Sequence, residues 1–381
     1  MRSILVVQLY RIGDVLQSFA VLRGLRQRWP AARLDLLVDP AVADAAALCP
    51  DVDRVLTYPR PTVREALLGA SRDLGLGLYL AGSAVDRLRF EAYDLVVNLH
   101  QDRLGRRLSA CLGAPDAVGS LLPPLGPPRY AGRGMERFLE AMGDRSHGTR
   151  NLVDHFLDMA GLPLGLPGAL RVPRAAQRKA DELLESLLPG PGPLVLLQAG
   201  ASRAFRGLEP AWIATVQAAL PGARFAWLGS PGERAGIEAQ LAGGAQGACL
   251  AGRTRLDALA GVISRAQLLI SGDTAALHLA GLLKVPSVSA FFGTAQPWET
   301  GPYGGGHLVL YSRLDCSPCR HVSGCAEPLC KQGVDPAILA AAARHQLYGE
   351  PLPGGLLISH LSPRGLAWTP TLAPRLAAQA A

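Results

Sequence analysis

Three short stretches of this sequence put reactive side chains where an apolar run gives way to a small-residue turn. Gly13-Asp14 follows the run Ile4–Leu9, Gly200-Ala201-Ser202 follows Leu194–Leu197, and Gly272-Asp273-Thr274 follows Leu268–Ile270. A carboxylate such as Asp14, projecting from the end of a strand, can take a proton from a hydroxyl. In isolation the same residue would be an ordinary helix cap, favoured by the helix dipole. Position favours the first role, because ligands of parallel α/β sheets gather beyond the carboxyl ends of the strands.

The other two turns suit an anion. Small residues at Gly200, Ala201 and Ser202 let backbone N–H groups approach one closely, and Arg203 and Arg206 add positive charge. Around Asp273, Thr274 and Ala275 the N–H groups of a helix start point past the sheet, with Asp273 or Thr274 available as cap and His278 in the first turns. That is the geometry of a diphosphate site. Glu233, in Gly229-Ser230-Pro231-Gly232-Glu233, could accept ribose hydroxyls. Each feature has a plainer reading beside it: incidental surface arginines, a satisfied structural histidine, a solvated turn acid. Neither opening contains G-x-x-x-x-G-K-[ST] or G-x-G-x-x-G, so the usual P-loop and dinucleotide sites are excluded.

Cys316, Cys319, Cys325 and Cys330 form C-x2-C-x5-C-x4-C, with His321 inside the loop. The first pair has metal-ligand spacing. A structural zinc, a labile iron–sulfur cluster, free thiols packing a loop, or a disulfide formed after purification all fit. Cys49, Cys111 and Cys249 read as isolated buried thiols. Asp51-Val52-Asp53 imitates a metal-binding D-x-D, but it leads into the strand-like Arg54-Val55-Leu56 and is not read as a metal site.

The elements that must position these residues repeat. Residues 4–38 read strand, glycine-bearing turn, amphipathic helix and second strand, and residues 194–229 repeat that order down to a shared P-x-A-R. Continuous apolar strands suit parallel sheets buried on both faces. Two such openings in 381 residues imply two α/β domains, drawn at 1–170 and 171–345, with a tail over 346–381 that could cross back onto the first. Tyr93–Leu99 reads as a strand, 59–92 as helix and loop, and 121–150 as irregular. Helices are expected at Asn151–Leu162, Arg174–Leu188 and Leu256–Arg265. The tail reads as loop, ending in a weak helical pattern.

Only 18% of residues are charged and 49% are hydrophobic, which suits buried sheets and excludes a disordered chain. The formal net charge is +7, but the arginines are scattered without an aromatic-studded stripe, so no nucleic acid partner is expected. Acidic small molecules or an anionic membrane surface fit better. The longest apolar region, around Leu268–Phe292, is broken by Asp273, His278 and Lys284 and cannot span a bilayer. Ile4–Leu9 is too short for a signal-peptide core, so a cytoplasmic protein is expected.

Six segments in order resemble glycosyltransferase family 9, the heptosyltransferases of lipopolysaccharide core assembly. They are IGDVLQSFAVLRGLRQRWP, DLVVNL, QAGAS followed by an arginine, LGSPGER, SGDTAALHLAGLLKVPSVSAFFGTAQPWETGPYG, and DCSPC with two later cysteines. The resemblance spans roughly residues 3–335. It implies a GT-B architecture: two Rossmann-like parallel-sheet domains facing across a cleft, the first for the acceptor and the second for a nucleotide-activated sugar. It also implies inverting transfer that needs no metal or other cofactor. Asp14 matches the general base, Glu233 the acid near the donor ribose, and Asp273 with His278 the donor-side D-[ST]-G-x-x-H. Ser202, Thr274, Gly200 and Ala201 complete the donor set. Arg206 stands where the family usually has lysine, Ala275 where it has glycine, and Leu208 where it commonly has tryptophan. The implied partners are ADP-heptose and a lipid-linked or glycan acceptor, met by a monomer at the inner face of the inner membrane. A sugar-nucleotide epimerase on the same scaffold and a catalytically silent nucleotide-sugar sensor are the competing readings.

Overall fold

The computed structural model describes residues 2–69, 72–143, 150–201, 203–312, 314, 316, 319, 325, 328–352, 358–362 and 365–369. It divides into two compact units, residues 1–143 with 152–171, and 144–151 with 172–381.

The first unit is built on β1 (Ser3–Val7), β2 (Arg33–Val38), β3 (Arg54–Thr57), β4 (Leu95–Asn98), β5 (Asp116–Leu121) and β6 (Arg129–Ala131). Their spatial order is β3-β2-β1-β4-β5-β6, parallel throughout except for the antiparallel β6. The second unit uses β7 (Leu194–Gln198), β8 (Arg224–Trp227), β9 (Ala248–Cys249), β10 (Leu268–Ser271), β11 (Ser287–Phe291) and β12 (His307–Tyr311), all parallel in the order β12-β11-β10-β7-β8-β9. Counted within its own unit, each sheet runs 3-2-1-4-5-6. Central strands covered on both faces are mostly apolar, and every residue of β1, β10 and β11 is buried, their serines included. Val6 of β1 sits between Leu36 and Val97, and Ile270 of β10 between Leu197 and Val288.

This strand order has one reversal, between β1 and β4 in the first sheet and between β7 and β10 in the second. A crevice opens at such a switch point, beyond the carboxyl ends of the strands, because the crossover helices leave it in opposite directions. The turns carrying Asp14 and Asp273 follow β1 and β10, and the Gly200 turn follows β7.

Several elements differ from the sequence expectation. The helix after β1 is two, Ile12–Gln17 and Phe19–Arg28, because the Ser18 hydroxyl donates to the Val15 carbonyl at 2.6 Å and competes with the backbone ladder. The stretch expected to be irregular holds β6 and the helix Met135–Gly143. In the tail, β13 (Ile358–Ser362) and β14 (Gly365–Thr369) pair antiparallel where a loop was expected, and they group with the second unit. The weak helical pattern at the end lies outside the described residues. Among the described residues, no helix is long and apolar enough to cross a membrane.

Candidate functional site

In the first unit, the helix Ile12–Gln17 starts just beyond β1 and carries Asp14 in its first turn. The Arg11 N–H reaches Asp14 Oδ2 at 3.4 Å. Burial raises the Asp14 carboxyl above its ordinary pKa, against the smaller pull of that N–H and of the Arg11 and His100 charges. A carboxylate placed so is a stronger base than one in water.

Five residues not singled out in the sequence join Asp14 along this edge: Tyr10, Asp39, Arg60, His100 and Asp102. Arg60 pairs with the buried Asp39 (Nε to Oδ2, 2.6 Å) and lies 4.6 Å from the centre of the Tyr10 ring. Tyr10 meets His100 edge-on at 4.3 Å and donates its hydroxyl to Asp102. His100 Nε2 lies 3.1 Å from Asp102 Oδ1, a close charge contact without hydrogen-bond alignment. Burial lifts the Tyr10 phenol to about 12, helped by its bond to Asp102. Burial alone would raise the Asp102 pKa too, but the Tyr10 hydroxyl, the Gly105 N–H and His100 together hold it below the usual range. Burial lowers the His100 pKa, against the raising pull of the neighbouring carboxylates of Asp102 and Asp14. The one signal these residues share is local: each follows a strand's carboxyl end within four positions.

In the second unit, Arg206 ends the short turn Ala204–Arg206. Its Nη1 lies 3.0 Å from Asp273 Oδ2, its Nε 3.1 Å from Thr294 Oγ1, and its Nη2 bonds the same hydroxyl. Gly272 makes the approach feasible, since a Cβ there would stand 2.7 Å from the Arg206 carbonyl. Asp273 therefore serves Arg206. Thr274 is the N-cap of Ala275–Leu283, yet its own hydroxyl makes no cap bond and lies 2.8 Å from Ser271 Oγ instead. The leading N–H groups of this helix point past the end of β10, and the Ala275 methyl is the first side chain of the helix. Burial lowers the His278 pKa to about 4, so the ring offers polarity without charge near neutral pH.

Glu233 lies over the turn after β7. A Cβ on Gly200 would stand 1.6 Å from Glu233 Oε1, so only glycine leaves room for that carboxylate, and the other oxygen accepts the Ser230 N–H at 2.7 Å. Gly200 and Glu233 are thus one corner, and Arg206, Asp273, Thr274 and Thr294 another, on the carboxyl edge of one sheet. Thr294 was not foreseen, and Ser202 lies outside the described residues.

Cys316 and Cys330 are free thiols. Among the described residues, no group of three or more His, Cys, Asp or Glu side chains is placed to hold a metal ion. Cys330 packs on the Gly293 loop, where burial raises its thiol pKa against a bond from the Gly293 N–H, and the Cys319 N–H donates to the Gly293 carbonyl at 3.0 Å. His321 lies outside the described residues. Asp51 and Asp53 are structural: they pair with Arg23 at 3.0 Å and Arg26 at 2.6 Å, tying the approach to β3 to the helix Phe19–Arg28.

The model of glycosyltransferase family 9 (heptosyltransferase) matches residues 145–329. The chain is 27% identical over 324 residues to lipopolysaccharide heptosyltransferase 1 of Pseudomonas aeruginosa, covering 83% of this chain and 85% of that protein. A glycosyl transferase family 9 structure from Veillonella parvula superposes with a TM-score of 0.72 at 18% identity, covering 92% of this chain and 98% of the other. The ADP-heptose LPS heptosyltransferase II of E. coli gives 0.66 at 16% identity, covering 92% and 99%. The fold is of the GT-B type, two parallel-sheet α/β domains, and the protein is a glycosyltransferase. Over residues 145–329 the chain is similar to glycosyltransferase family 9, and along most of its length to a lipopolysaccharide heptosyltransferase.

Proposed function

We propose that this enzyme transfers heptose from ADP-heptose to a lipopolysaccharide-core acceptor, with inversion and without a catalytic metal. It would work as a monomer in the cytoplasm, at the inner face of the inner membrane. The observation that carries the reading is Asp14, a carboxylate with a raised pKa at the switch point of the first sheet. Its relatives' names supply the sugar and nucleotide: lipopolysaccharide heptosyltransferase 1, and the ADP-heptose enzyme of E. coli.

Asp14 takes the proton of an acceptor hydroxyl as that oxygen attacks the anomeric carbon of the donor. The bond from that carbon to the diphosphate oxygen breaks on the opposite face, which inverts the centre. One base and a stabilised leaving group suffice for such a displacement. Arg206 and the N–H groups at the start of the Ala275 helix carry the charge developing on the diphosphate. Glu233 accepts the ribose hydroxyls, and Gly200 with Ala201 lines the backbone approach. His278, held neutral, contributes a polar contact.

Nucleotide release separates this reading from an epimerase. ADP should be released from ADP-heptose only when acceptor is present. Conversion of the sugar nucleotide without acceptor would overturn the transferase reading for this substrate. Transfer should also survive excess chelator at its full rate, because the cationic and N–H groups named above serve the diphosphate. Loss of activity that magnesium or manganese restores would contradict a metal-independent step.

A further inference from the structure

The helix Leu74–Phe90 buries only part of its apolar surface. Ala84 and Leu88, in its second half, belong to the same core as Leu5, Leu37 and Val96, while Gly77, in its first half, packs on Leu67 of the preceding helix Arg60–Leu68. The two helices form a hairpin, with the Asp73 N–H donating to the Ala66 carbonyl at 2.7 Å. Glu91, just past the second helix, pairs with Arg33 and Arg54 at the starts of β2 and β3. The second helix therefore ends at the amino edge of the sheet. Seventeen residues at about 1.5 Å each span roughly 25 Å, more than the roughly 20 Å of a six-residue strand. Its first turns rise toward the carboxyl edge, where Arg60 opens the preceding helix against Tyr10.

That rising end is apolar and uncovered. Leu68, Leu74, Leu78 and Tyr79 are 63–70% exposed, Leu76 is 47% exposed, and Leu74–Gly82 contains no charge at all. Single exposed leucines are ordinary, but five large apolar side chains on one hairpin tip mark an interaction surface. The charges around it differ by sign. Arg64, on the same helical face as Leu68, and Arg72 are exposed. The acids beside them, Glu65 and Asp73, are exposed too but engaged locally: Asp73 caps the helix by accepting the Leu76 N–H at 2.8 Å, and the Glu65 carboxylate folds over Gly69.

We infer that this hairpin tip seats the protein on an anionic bilayer surface, with the leucines and Tyr79 in the interfacial region and Arg64 and Arg72 at the head groups. The purpose of the contact rests on the proposed lipid-linked acceptor, which would be met at the edge carrying Asp14. An interfacial apolar face flanked by arginine is the composition that binds anionic lipid, strengthened by burial and by charge together. A second copy of the chain is the competing cover, and the oligomeric state of the wild type and its variants decides against or for it.

Flotation of the full-length protein with vesicles tests the assignment, without donor or acceptor present. The protein should float with phosphatidylglycerol–phosphatidylcholine vesicles at low salt and lose most of that binding on phosphatidylcholine alone. Combined Leu74→Ser, Leu78→Ser and Tyr79→Ser should lower partitioning at least tenfold with an unchanged melting temperature and unchanged transfer to a water-soluble acceptor glycan. Arg64→Gln with Arg72→Gln should lower it by about 30-fold at low salt and by much less at high salt. Failure of the wild type to float, or flotation of the triple variant like wild type, overturns the inference. So does a wild-type dimer that the triple variant dissociates, which would make the cover a second copy. Flotation as expected from a protein that transfers no heptose would instead remove the heptosyltransferase reading and leave the membrane contact standing.

Discussion

Asp14→Asn should leave the fold and donor binding intact and reduce turnover by about 10²–10⁴-fold, the usual worth of a positioned general base. Asparagine has nearly the same volume but cannot accept a proton at neutral pH, so the loss belongs to kcat more than to KM. The acid limb of the wild-type kcat profile should titrate above the ordinary aspartate range, because burial raises the Asp14 pKa. The same shift fixes a sign for stability. The folded protein holds this proton more tightly than the unfolded chain, so the stability linked to it is fully present below the unfolded pKa. It is lost as pH rises through the raised folded value. At neutral pH the wild type bears the cost of a partly buried charge that asparagine does not have. Asp14→Asn should therefore melt no lower than wild type at pH 7, and the comparison should turn against it only in acid. Turnover within threefold of wild type at saturating acceptor would remove Asp14 from the base role. A lower melting temperature at pH 7 with turnover lost would mean that the carboxylate is structural.

How much of this was legible in the sequence follows from how local each feature is. A strand, its turn and the next helix lie within a dozen residues, so Asp14, the Gly200 turn and the Gly272-Asp273-Thr274 turn could be placed from apolar runs and small residues alone. The ring around Asp14 could not, because Tyr10 and Asp102 are 92 positions apart and meet only through the order in which β1 and β4 pair. Isolated Arg60 or His100 looks like any other charged or polar residue after a strand. The partner of Asp273 was also hidden, since Asp273 and Thr274 are both good caps and only the fold brings Arg206 to Asp273. The hairpin Ile358–Thr369 was missed because its alternation is too short and mixed to stand out from loop.

That Arg206–Asp273 contact sharpens the last expectation. Both side chains are largely buried, and the Arg206 fork already serves Asp273 and the Thr294 hydroxyl. A diphosphate arriving at the Ala275 helix start must share this guanidinium with Asp273 or displace the carboxylate. Either way, Arg206→Ala removes the cation and leaves an acidic neighbour facing the incoming phosphates. Binding of ADP should weaken by about 1.5–3 kcal/mol, the usual worth of a hydrogen bond to a charged group. Arg206→Lys should recover part of this, since it restores the charge but not the planar fork. Adding Asp273→Asn to Arg206→Ala should also recover part of it, by removing the repulsion, so the two substitutions should be non-additive. Ala275→Gly should tighten binding or leave it unchanged, because it takes a methyl away from the phosphate approach. Calorimetry with ADP, UDP and GDP reads all four variants, with ADP expected to bind best. If Arg206→Ala binds every nucleotide as wild type does, the diphosphate is held elsewhere on the second sheet, and Arg206 and Asp273 are only a structural ion pair.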